Sequence, residues 1–171
     1  MYIKLFGAVF AVAACLMAGN SYYSSKRSHC RSLDALCLML RLMRSELSTL
    51  GADLKSVLES IAPRLEAPAS DFALLLSESM DMLGQQSFEK LWTDCAASCL
   101  TSLEGEELWA LCELGTVLGR YELSQQLCAL DACSERLCSM QEKAQSQLTA
   151  QRKLSLGLPA AFGIMLVIVL I

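Results

Sequence analysis

Cys95 and Cys99 stand four residues apart. On a helix that spacing puts two soft ligands on one face and supplies half of a tetrahedral metal site. The other half is missing. A structural zinc needs four ligands, and His29, the single histidine, lies near the N-terminus. The nine cysteines are scattered without a repeating framework, and free cysteine packs as a small apolar side chain. They are therefore read as core residues, and no metal or other cofactor is expected. Glu104, Glu106 and Glu107 form the densest carboxylate cluster, with Glu113 beyond them. Paired carboxylates can work as acid and base, but no histidine or metal motif accompanies these. They read as charge at a helix start, where the positive end of the helix dipole favours them. Exposed carboxylates are also candidates for contacting a basic partner. Phosphate-loop, dinucleotide-binding, zinc-protease and serine-hydrolase motifs are all absent from the sequence. The chain is read as no enzyme, with no small-molecule substrate. Its net charge of −4 gives no reason to expect nucleic acid.

Two apolar segments at the ends of the chain decide how these residues are positioned. They are Leu5–Gly19 and Leu154–Ile171. A helix of the second segment would be about 27 Å long, roughly one hydrocarbon thickness. Neither segment has a charged residue at its centre, so no proton or ion path is indicated. The layout predicts an N-terminal transmembrane helix over 1–19, a helical body over 20–153 and a C-terminal transmembrane helix over 154–171. Lys26, Arg27 and Arg31 follow the first segment, and Arg152 and Lys153 precede the second, while Lys4 alone lies outside. Basic flanks stay on the cytoplasmic side, which predicts a cytoplasmic body with both termini on the far side. There the cysteines should be thiols. The competing reading rests on Val12-Ala13-Ala14-Cys15, which resembles a lipoprotein cleavage box and would leave the chain lipidated at Cys15 and exported.

Between the ends the pattern is helical. Leu33, Leu36, Cys37, Leu40, Met43, Leu47 and Leu50 make one amphipathic stripe. Asp53 is placed to cap a short helix closed by Pro63, and Ser70 to cap a helix over 71–83 broken by Gly84. Ser87 should cap 88–100, with Trp92 as a core anchor. Leu123, Leu127, Leu130, Leu137, Met140 and Leu148 form a last stripe, predicting one helix from about Tyr121 into the second apolar segment. The fold class is all-α, a bundle of five or six helices.

One stretch adds positive information: Leu111-Cys112-Glu113-Leu114-Gly115-Thr116-Val117-Leu118-Gly119-Arg120-Tyr121-Glu122, followed by Gln125 and Gln126. A glycine after a helix can take positive φ as a cap, and one a turn earlier lets helices approach closely. With the whole layout, this stretch resembles the stage III sporulation protein AB family. Gly115, Leu118, Gly119, Glu122 and Gln126 occupy that family's signature. Leu114 stands where an aromatic residue is common, and Arg120-Tyr121-Glu122 replaces a small residue followed by Asp. The resemblance implies a membrane scaffold of the channel between mother cell and forespore, with a body like the cytoplasmic domains of type II secretion and type IV pilus platforms. It further implies a cognate sporulation ATPase, other membrane subunits and the mother-cell membrane facing the forespore as partners. The remaining alternative is an exported lipoprotein or a helical membrane adaptor unrelated to secretion.

Overall fold

The stripe read on the first helix is buried as a row: Leu33, Leu36, Cys37, Leu40, Met43 and Leu47 all face the core. A computed structural model describes the backbone of residues 2–50 and 53–170, and the side chains of residues 24–49 and 53–149. Leu50 therefore lies outside the described side chains. Among the described residues there are six α-helices and no strand: α1 (Tyr2–Leu50), α2 (Leu54–Ile61), α3 (Ala69–Ser79), α4 (Phe88–Cys99), α5 (Gly105–Val117) and α6 (Leu123–Leu170). A compact unit, His29–Glu142, holds α2 to α5 with the adjoining parts of α1 and α6. The remainder of the two long helices forms a second unit.

The segments 1–19 and 154–171, read as transmembrane helices, lie outside the described side chains. No helix among the described residues is long and apolar enough to cross a membrane.

Local chemistry accounts for most boundaries. Asp53 occupies the cap position of α2 and its carbonyl accepts the Val57 N–H at 3.1 Å, but its side chain makes no cap bond. Ser70 is not the cap of α3. The Pro68 carbonyl already accepts the Phe72 N–H at 3.0 Å, so the helix starts earlier and Ser70 sits inside it. α3 ends at Ser79, and a 3-10 turn over Met80–Met82 follows. Gly84 then takes φ 104°, a conformation that costs other residues a steric clash. Ser87 caps α4 as expected, its hydroxyl accepting the Lys90 N–H at 3.4 Å.

Burial follows the sequence stripes only in part. Phe72, Leu76 and Met80 are buried, whereas Leu75 and Leu83 are exposed. On α6, Leu130 and Leu137 are fully buried but Leu123, at the first position of the helix, is exposed. Trp92 is fully buried between Phe72, ring centroids 5.0 Å apart and edge-on, and Phe88 at 5.8 Å. Its indole N–H donates to the Leu111 carbonyl at 2.8 Å, which ties α4 to α5. An aromatic pair of this edge-to-face kind adds about 0.5–1.5 kcal/mol beyond the area it buries.

Candidate functional site

The residues singled out around Gly119 do converge. α5 ends where Leu118 turns to extended backbone, and its side chain is buried. Gly119 follows with φ 72°, the left-handed conformation a glycine adopts without cost. Its N–H donates to the Gln126 side-chain oxygen at 3.3 Å, and the Gln126 amide in turn donates to the Tyr121 carbonyl at 2.7 Å. Gln126 thus reaches back from the first turn of α6 and ties the connection from both sides. Glu122, exposed, starts α6 through its carbonyl, which accepts the Gln126 N–H at 3.0 Å. Gly115 has a different task. A Cβ built there would lie 2.5 Å from Cδ1 of Trp92, so only glycine lets α5 meet α4 at this depth.

The acidic trio separates into different roles. Glu107 is buried, with 6% of its surface exposed. One carboxylate oxygen contacts Nε2 of His29 at 3.1 Å, and the other accepts the Glu104 N–H at 2.9 Å. Glu104 and Glu107 form a reciprocal capping box at the start of α5. The helix-start reading therefore holds, but Glu107 is not a surface contact for a partner, because its carboxylate is spent inside the fold. Glu104 and Glu106 remain exposed.

His29 is buried as well, with Nδ1 2.7 Å from the Ser102 carbonyl oxygen. A carbonyl only accepts, so Nδ1 carries a proton and donates. The contact between Nε2 and Glu107 needs a second proton, on the ring or on the carboxyl. Beside them the Ser102 hydroxyl donates to Ser32 at 2.9 Å. This polar cluster pins α1 to the start of α5 and to the turn before it. Sequence reasoning set His29 aside as a lone residue near the first apolar segment. The available signal was the Glu104-to-Glu107 spacing of a capping box, which marks the helix start but not its partner.

Glu106 lies at the edge of a second cluster. Arg136 of α6 reaches Glu106 at 3.4 Å and Glu113 at 4.0 Å, and its guanidinium lies 4.9 Å above the ring of exposed Trp109. Beside it runs a groove of about 200 Å³ between α5 and α6, lined by Ala110, Leu114, Val117, Ala129, Ala132 and Cys133. The groove is apolar, with Glu113 and Arg136 as its charged margin.

Cys95 is buried and Cys99 half-buried on one face of α4, and the Cys95 thiol lies 3.5 Å from the Ser79 hydroxyl. Burial, then the neighbouring Cys95 and Asp71, push the Cys99 thiol up. Among the described residues no three or more metal-ligating side chains gather at one point, and the cysteines there are free.

Taken together, the fold and its most constrained residues define an all-helical body organised around a packing glycine, a glycine turn and a buried polar pin. The chain belongs to the stage III sporulation protein AB (spore_III_AB) family, whose profile matches residues 4–171. Among solved structures it is similar to a stage III sporulation protein AB (SpoIIIAB), at 20% identity and a TM-score of 0.62, covering 69% of this chain and 94% of that one. At that identity the likeness speaks for the fold. No curated protein sequence matches the chain.

Proposed function

We propose that this protein is a non-catalytic integral membrane component of the channel apparatus between mother cell and forespore, a secretion-platform-like scaffold that docks a cytoplasmic ATPase. The observation that carries the reading is the extent of the family match, which takes in residues 4–171 and so both apolar ends with the body between them. A chain held at both ends in a membrane is a fixed part of an assembly rather than a diffusing catalyst. The basic flanks Lys26, Arg27, Arg31, Arg152 and Lys153 support a body in the cytoplasm and termini on the far side. The partners on this reading are the mother-cell membrane facing the forespore, the other membrane subunits of the channel and the cognate sporulation ATPase. Glu104 and Glu106 supply exposed negative charge for a basic docking surface, which favours encounter and register more than raw affinity.

The full chain, extracted in mild detergent from sporulating cells, tests it. Capture of the ATPase that weakens with added salt is expected, because exposed charges are screened. Glu106→Lys should leave the protein folded and membrane-inserted but reduce that capture. A wild-type chain that captures no ATPase removes the docking role. Topology is read with an impermeant maleimide and a cysteine introduced in the 84–87 turn. Labelling only after permeabilisation fits the cytoplasmic body; labelling in intact cells favours the exported lipoprotein that Val12-Ala13-Ala14-Cys15 suggests.

A further inference from the structure

We propose that Cys37 of α1 and Cys138 of α6 are a redox pair, which hydrogen peroxide closes into a disulfide clamping the two helices together within the body. The register of the helices places them opposite one another. Asp34 accepts from the Gln141 amide at 2.5 Å, Arg41 donates to the Cys138 sulfur at 3.4 Å, and Arg44 pairs with Asp131. Each advance along α1 is met by a retreat along α6, so the pairing is antiparallel. Cys37 is three residues after Asp34, and Cys138 is three before Gln141. Asp34, Cys37, Arg41 and Arg44 recur at helical steps and share one face. Cys138 is thereby a near neighbour of Cys37 across it.

The pair is asymmetric in the way stepwise oxidation needs. Cys138 is partly exposed, so its sulfur is the one an oxidant in solution can reach, and the Arg41 guanidinium donates to it at 3.4 Å. Cys37 is buried and so sheltered from an oxidant in solution. Cys138 is thus the sulfur that meets the oxidant and Cys37 the one that resolves it. The Cys138 thiolate attacks a peroxide oxygen, the O–O bond breaks, and Cys138 sulfenic acid forms with release of water. Cys37 then attacks the sulfenic sulfur, the S–O bond breaks, and a second water leaves. Two thiols and one hydrogen peroxide give one disulfide and two waters. Closing the contact to a bond of about 2.05 Å asks for side-chain rotation and a small approach of the helices. In a reducing compartment the resting form is the dithiol.

Cys95 and Cys99 supply an internal control. Four residues apart on one helix, their Cβ atoms are about 5–6 Å from each other, beyond the roughly 3.8 Å a disulfide prefers.

The full-length protein in detergent, treated with hydrogen peroxide, alkylated and digested, provides the test. A Cys37–Cys138 linked peptide is expected, with a rise in Tm, both reversed by dithiothreitol. Cys37→Ala should leave Cys138 as a sulfenic acid trapped by dimedone, and wild type should trap far less. Wild type needs no folded variant to give its answer. If peroxide oxidises other thiols while no Cys37–Cys138 peptide forms, the proposal is wrong. Equal dimedone labelling of Cys138 in wild type and Cys37→Ala overturns the resolving role and the pair with it.

Discussion

Gly115 of α5 lies against the indole of Trp92 so closely that a methyl group there would sit 2.5 Å from Cδ1 and 2.7 Å from Cγ. The ring cannot step aside, because its N–H is held by the Leu111 carbonyl and its faces and edge meet Phe72 and Phe88. The glycine in the last turn of α5 and the tryptophan in the core are one solution to one packing problem.

Gly115→Ala should therefore destabilise the body, although alanine is the better helix former by about 1 kcal/mol. Forcing a methyl group into a filled core costs about 1–3 kcal/mol and occasionally more. A net loss of up to about 2 kcal/mol is expected from chemical denaturation, on the same balance. Trp92→Phe should absorb part of the added loss in the double variant. Strict additivity of the two changes would show that the contact is not the cause.

At Gly119 the argument is about backbone alone. An added Cβ would meet its nearest neighbour, Phe88 Cγ, only at 4.0 Å, so space is not limiting. Positive φ costs an ordinary residue about 1–2 kcal/mol, and asparagine less. The expected order of stability is glycine, asparagine, alanine, valine, measured as midpoints of urea unfolding. Equal midpoints for asparagine and valine would contradict the left-handed turn.

The buried pin predicts strong coupling. His29→Ala leaves the Glu107 carboxylate without its ring partner while the Glu104 N–H bond remains. Loss of a partner to a buried polar group costs about 1–3 kcal/mol. The double change His29→Ala with Glu107→Ala should cost less than the sum of the two single changes. A cycle with no coupling energy would mean that the two side chains act independently in solution.

Thiol reactivity gives a pH-dependent test. Burial pushes the Cys133 thiol up to about 12, with nearby Glu113 adding to it and Arg136 opposing. The thiolate is the nucleophile, and a raised value starves the site of it. Near pH 8 very little of Cys133 would therefore be ionised. Exposed Cys128 should then be alkylated long before Cys133, and the gap should narrow as pH rises toward 12. Mass spectrometry of timed alkylation reads both sites; comparable rates at pH 8 would show that packing against α5 does not shield Cys133.

What the sequence determined by itself is local. Ser87 as a cap, the carboxylates at the start of α5, the breaks at Gly84 and Gly119 and the buried stripe of α1 all follow from interactions within a turn or two, where spacing alone decides geometry. Even there, Ser70 loses its cap to a helix that Pro68 starts earlier, since the backbone bond it makes comes first along the chain. Tertiary structure decided the rest. Which carboxylate of the acidic trio is buried depends on where His29, remote in sequence, comes to rest on α5. Which cysteines face one another depends on the antiparallel register of α1 and α6, set by pairs such as Asp34 with Gln141 and Arg44 with Asp131. Periodicity tells that a face is apolar but not which other face will cover it, because the free energy of burial is nearly indifferent to partner while hydrogen bonds and close contacts are not.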